Sequence, residues 1–200
     1  KTHAEKMRDA IEAVGAYRDA VGDEVDLCIE IHRQLTPSES ITLARGIEPY
    51  HPYFYEDPIL PDNFDAMALV ANNISIPIAT GENEYTRYGF RDMINARAVD
   101  ILQPDALVLG GITEFMKVAA LAQANDLDVA PHGAQEVHIH LVAAIPNGLI
   151  LEYYRDSVNP MYGKVWEHEL TIEDGYVYAP DLPGLGLIPK WDTLEPYRVG

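Results

Sequence analysis

Ile76-Pro77-Ile78-Ala79-Thr80-Gly81-Glu82 is a short apolar run that closes on a glycine and an acid. Such a run is too short for a helix and reads as a strand apolar on both faces, the pattern of a parallel strand covered on each side. Runs of the same kind stand at residues 25–31, 53–55, 99–102, 127–130 and 149–151. Between them lie longer stretches with helical character. Residues 5–20 place Met7, Ile11, Val14 and Tyr17 at helical spacing. Thr36-Pro37-Ser38-Glu39 is a capping box with proline at the first helical position. Residues 63–71 and 88–96 predict shorter helices, and 112–124 predicts one after the turn Gly110-Gly111. Residues 135–144 predict a last helix that stops before Pro146. Alternation of strand and helix predicts an α/β fold with a parallel sheet. Beyond Glu152 the pattern breaks, and 165–170 with 176–178 predict a short hairpin before the Pro/Gly-rich 180–189.

A polar residue stands at or just after the end of every predicted strand: Glu30, Glu56, Glu82, Asp105, His132 and Glu152. Their spacings of 26, 26, 23, 27 and 20 residues are each about one βα unit. In a parallel (β/α) barrel the strand C-termini open onto one face, where active sites lie. A complete eight-stranded barrel needs roughly 250 residues. The chain is therefore read as one catalytic barrel domain over residues 1–200, with about six of eight units and Lys1 near the end of the second strand.

Composition narrows the partners. Apolar side chains make up 48% of the 200 residues, which suffices for one core. A formal net charge of −18 disfavours nucleic acid and anionic membranes, whose phosphates this surface repels. No apolar run approaches the roughly 20 residues of a membrane helix, and the polar opening, residues 1–9, has no secretory pattern. The single cysteine, Cys28, excludes an intrachain disulfide. It reads as a packed, inert thiol, and a cytoplasmic location fits.

Three carboxylates brought together at Glu30, Glu56 and Glu82 would repel one another unless a cation held them. All-oxygen ligands suit a hard ion such as Mg²⁺. Taken singly, each Glu is as well explained by a helix cap or an arginine partner. His132 follows Pro131, and Asp105 follows Pro104 one strand earlier. A carboxylate on one imidazole nitrogen fixes the tautomer and leaves the other as a base. Glu152 is read either as a protonated donor toward developing charge or as the partner of Arg155. His32 lies two residues beyond Glu30, so a continuing strand would point both the same way. It is read as a general acid or a loop histidine. His138 and His140 read as structural.

Several stretches together resemble the mandelate racemase branch of the enolase superfamily. They are Ala20-Val21-Gly22-Asp23, Tyr55-Glu56-Asp57-Pro58, Ile76 to Glu82, Gln103-Pro104-Asp105, Gly110-Gly111-Ile112 and Pro131-His132-Gly133. The stretch from Gln135-Glu136-Val137 to Ala143-Ala144 and the stretch Asp181-Leu182-Pro183-Gly184-Leu185-Gly186 extend the match. The resemblance implies an enolase C-terminal type barrel in which Glu30, Glu56 and Glu82 bind Mg²⁺. It implies that His132 with Asp105 is the base, that Glu152 assists at the substrate carboxylate, and that the ion stabilises an enediolate. Glu30/His32 is similar to the Asp-x-His of acid-sugar dehydratases, where the histidine helps expel the 3-hydroxyl. Two positions depart from the pattern. Glu30 stands where Asp is usual, and Lys1-Thr2-His3 stands where the branch often has Lys-x-Lys, which makes Lys1 and His3 candidate bases. The branch's N-terminal capping domain has no counterpart in these 200 residues.

The reading is a Mg²⁺-dependent acid-sugar dehydratase acting on a small-molecule carboxylate, with no nucleic-acid or membrane partner, in a homo-oligomer. The rivals are a racemase or epimerase using the same enediolate, and a non-catalytic barrel.

Overall fold

The computed structural model describes residues 1–155, 157–159 and 161–199. Helix α1 (His3–Val21) precedes β1 (Cys28–Glu30), and the chain then alternates through α2 (Pro37–Ile47), β2 (Phe54–Glu56), α3 (Phe64–Ala71) and β3 (Ile78–Thr80). It continues through α4 (Thr86–Asn95), β4 (Ile101–Leu102), α5 (Ile112–Gln123), β5 (Asp128–Val129) and α6 (Gln135–Ala144). The five strands are parallel and ordered β1-β2-β3-β4-β5. Sequential order without reversal is the order of a barrel wall, because doubly wound sheets reverse direction at a switch point. The structure is thus part of a (β/α) barrel, as the strand-helix alternation predicts.

Local chemistry explains the helix starts. Thr2 and Thr36 each form a complete capping box, with Glu5 and Glu39, and the Asn63 side chain accepts from the Ala66 N–H to open α3. Such caps satisfy backbone donors that have no partner inside the helix, at about 1 kcal/mol each. Gly110 and Gly111 take φ of 120° and 97° ahead of α5, a conformation that disfavours side chains.

The two-residue period of the strands sorts the core. Ile78, Leu102 and Val129 are fully buried and share a core with Phe90, Phe115 and Val118 from the helices, while fully buried Tyr55 packs in a second cluster with Val14, Leu43 and Ile47. Phe54, Ala79, Ile101 and Ala130 form a separate cluster on the opposite face. Glu56 shares parity with Phe54 and lies opposite Glu30 in the β1–β2 register, so the inner face of the sheet ends in carboxylates.

Four expectations need correction. The hairpin is β6 (Thr171–Glu173) with β7 (Tyr176–Tyr178), whereas residues 162–165 form a single helical turn. Asp174-Gly175, both at positive φ, is the turn that sets this register. Residues 149–151 form no strand: a parallel bridge joins Val129 to Gly148, just before them, and the Leu149 N–H bonds the Val129 C=O at 2.8 Å. Helix α4 starts at Thr86, two residues earlier than its apolar pattern predicts. Cys28, on β1, is exposed rather than packed. Partial desolvation, with Glu56 and Asp26 nearby, still pushes its thiol up to about 11, which keeps it a poor nucleophile. Among the described residues, no helix is long and apolar enough to cross a membrane.

Candidate metal and proton-transfer site

The ends of β1, β2 and β3 bring Glu30, Glu56 and Glu82 together, with one carboxylate oxygen from each within 4.8 Å of the others. Glu30 is exposed, Glu56 buried and Glu82 half-buried. Burial, then the charge of Glu30, pushes the Glu56 carboxyl up to about 8. Glu30 is also raised, first by burial, although its hydrogen bond with Glu56 opposes the shift. Two acids sharing a proton are what crowded carboxylates do when nothing positive lies between them. Three hard oxygen donors crowded at one point fit a small divalent cation.

On the other side of the mouth, His132 Nδ1 lies 3.1 Å from Asp105 Oδ2. Its Nε2 lies 3.4 Å from Glu82 Oε2, so the imidazole faces the carboxylate cluster directly. The Asp105 hydrogen bond, assisted by the charges of Glu82 and Glu152, pushes His132 up to about 9 against the opposing effect of burial. Burial alone would raise Asp105, but bonds from His132 and from the Leu107 N–H, at 2.8 Å, hold it below the usual range. Glu152 accepts the Gly133 N–H at 2.6 Å. It forms no ion pair with Arg155 among the described residues. Burial and then a hydrogen bond with Glu152 raise the Tyr154 hydroxyl, and Gln135 fixes the Tyr154 peptide through bonds of 2.9 and 3.2 Å.

The other sequence candidates are not placed as the strand pattern predicts. His32 does not continue the strand, because His32 and Arg33 both take left-handed φ, 55° and 62°. The two-residue alternation therefore stops at Glu30. His32 is exposed, with its N–H on Glu30 Oε1 and its Nε2 3.1 Å from Arg33 Nη2. Lys1 pairs with Asp9 at 2.6 Å and His3 with Glu39 at 3.2 Å, at the start of α1. Both are held by surface partners rather than by the site. Gly110-Gly111 serves as a turn.

The bend at His32 brings in a residue the sequence reading missed. Arg33 Nη1 lies 2.9 Å from Asp57 Oδ2 and 2.5 Å from Glu82 Oε1. Asp57 is 2% exposed and also accepts from Thr80 Oγ1 at 2.5 Å. A buried carboxylate needs such partners. The available signal was the second acid of Glu56-Asp57-Pro58, but Asp57, at φ 40°, lies past the end of β2, where strand alternation no longer sets its direction.

Parallel sequential strands thus end in a carboxylate triad that faces a carboxylate-backed imidazole, a donor set that suits a divalent cation beside a general base. The chain belongs to the enolase C-terminal domain-like family, whose model matches residues 1–193. It is 36% identical over 194 residues to D-xylonate dehydratase of Haloferax volcanii, covering 94% of this chain and 47% of that protein. It superposes on L-talarate dehydratase from Polaromonas sp. JS666, complexed with Mg and L-glucarate, with a TM-score of 0.86. That match has 33% identity and covers 94% of this chain and 52% of the other. A racemase from Streptomyces coelicolor with bound magnesium gives a TM-score of 0.89 at 29% identity, covering 95% and 51%. The chain spans about half the length of the curated relatives it matches.

Proposed function

We propose that this chain carries the catalytic face of a Mg²⁺-dependent acid-sugar dehydratase, the barrel domain of an enzyme that assembles as a homo-oligomer. The reading rests on one observation above others: three carboxylates within 4.8 Å of one another lie across from His132, which Asp105 holds at 3.1 Å. Glu30, Glu56 and Glu82 would hold the ion. When bound, Mg²⁺ supplies positive charge that stabilises the electrons left on a substrate carboxylate as its α-proton departs.

The chain's own groups divide the remaining work. His132 Nε2 takes the α-proton, and Asp105 on Nδ1 maintains the tautomer and steadies the imidazolium that forms. The Asp105 hydrogen bond raises the basicity of His132, which suits a group that must take a weakly acidic carbon proton. Glu152, anchored on the Gly133 N–H, lies on the His132 side, where it can meet the substrate carboxylate. His32, exposed beside Glu30, gives a proton to the β-hydroxyl as its carbon–oxygen bond breaks. Water leaves, and the enol that remains tautomerises to a 2-keto-3-deoxy acid. Relatives named as D-xylonate, arabinonate and D-gluconate dehydratases support sugar acids as the substrate class.

A racemase needs a second base facing His132, and the candidates Lys1 and His3 are engaged with Asp9 and Glu39, which favours dehydration. Incubating the complete protein with Mg²⁺ and a panel of C5 and C6 sugar acids tests the reading. The expected result is a 2-keto acid from at least one of them. Exchange of the α-proton with D₂O and no loss of water would instead support the racemase. Full function in His132→Asn would support a non-catalytic barrel.

A further inference from the structure

His138 lies on α6 with its side chain fully buried and touches no acidic ligand of the proposed metal site. Its ring stacks on Phe115, with centroids 5.8 Å apart. Both ring nitrogens are committed. Nε2 accepts the Ala106 N–H at 2.9 Å, and Nδ1 lies 2.7 Å from the Gly133 carbonyl. An imidazole that accepts at Nε2 and faces a carbonyl at Nδ1 must carry its single proton on Nδ1. Asp105 Oδ1 lies 3.6 Å from Nε2, but a second proton there would confront the Ala106 N–H, so the ring stays neutral. Burial likewise lowers its proton affinity.

The two backbone groups that His138 joins are each one residue past a member of the proton-transfer pair. Ala106 follows Asp105, and Gly133 follows His132. Two loops from adjacent strands are thus pinned to one rigid ring, next to residues Asp105 and His132, which lie 3.1 Å apart. We propose that His138, as a neutral Nδ1–H imidazole, is a positioning residue that sets the Asp105–His132 spacing by bridging the Ala106 N–H and the Gly133 carbonyl. Its kinetic consequence rests on the dehydratase reading, but its tautomer does not.

The test therefore has two arms. In the complete protein labelled with ¹⁵N-histidine, two-bond ¹H–¹⁵N spectra, with His138 identified by its loss in His138→Gln, should show an Nδ1–H tautomer that does not titrate between pH 6 and 9. An Nε2–H tautomer, or protonation within that range, overturns the proposal whether or not the protein is a dehydratase. In the kinetic arm, His138→Phe keeps the ring but removes both bonds. It should lower kcat by roughly 10- to 100-fold, the scale of a displacement of about 1 Å at a reacting group, with KM changed less than about 2-fold. His138→Asn retains a donor toward Gly133 and His138→Gln an acceptor for Ala106, so each should fall between wild type and His138→Phe. Folded variants with lowered Tm but unchanged kcat would contradict the proposal. If His138→Phe does not fold, the graded pair and the wild-type tautomer decide. A wild-type protein inactive on every sugar acid would refute the dehydratase reading while leaving the tautomer result to judge His138.

Discussion

The two halves of the strand-end mouth solve opposite electrostatic problems. Around β4 and β5, every charge has an answer: Asp105 meets His132 and the Leu107 N–H, and Glu152 meets the Gly133 N–H and the Tyr154 hydroxyl. Around β1, β2 and β3 the charges are alike. Arg33 reaches Glu82 and Asp57 but no contact joins it to Glu30 or Glu56, and Glu56 holds a proton up to about pH 8. One half is complete as the polypeptide folds. The other concentrates acids at the strand ends, and that asymmetry is the strongest argument for reading the mouth as a metal site rather than a set of surface acids.

Breaking each half separately should give different signatures. His132→Asn removes the base alone and should lower kcat by about 10³-fold, within the usual range for a general base, while Mg²⁺ affinity measured by calorimetry stays within about 2-fold. Glu56→Gln removes the central ligand and should weaken Mg²⁺ by on the order of 100-fold, the upper end of what outer partners of a ligand cost. The His132–Asp105 pair should persist, as seen in an unchanged ¹⁵N spectrum of Asp105-bound Nδ1. Arg33→Met leaves the ligands but frees Glu82 on one side. Affinity should drop about 10-fold, and buried Asp57 loses its cation, so Tm should fall as well.

The smallest effect sharpens the comparison through pH. Glu56 is raised from 4.5 to about 8 in the metal-free fold, so the folded state binds more protons than the unfolded chain between those values. Stability contributed by this group is full below about pH 4.5 and is lost as pH rises through about 8. The chelator-treated protein should therefore show Tm falling over that window, with Glu56→Gln flatter. Because ions bind the carboxylate, Mg²⁺ should displace close to one proton per site at pH 7, read from calorimetry in buffers of different ionisation enthalpy.

Much of this was legible in the sequence for identifiable reasons. Short continuous apolar runs located the strands and a period of 3.6 the helices, and the capping box at Thr36 is a chemistry that needs no tertiary context. Strand ends at near-constant spacing gave Glu30, Glu56, Glu82, Asp105, His132 and Glu152 before any coordinates. What escaped depended on backbone direction or on neighbours. His32 was projected along a strand that had already ended, because a left-handed bend at two non-glycine residues leaves no compositional mark. Arg33 and Asp57 matter through one another, across 24 residues. His138 read as an ordinary helix histidine, since its role lies in two backbone groups, Ala106 N–H and Gly133 C=O, that belong to other elements.

The central claim is a place for one ion. Anomalous scattering from a crystal of the complete protein soaked in Mn²⁺, a stand-in for Mg²⁺, locates it directly. A single strong peak within about 2.0–2.3 Å of oxygens from Glu30, Glu56 and Glu82, on the side facing His132, is the predicted result. A fully occupied ion held by other residues, with those three carboxylates left without metal, would contradict it.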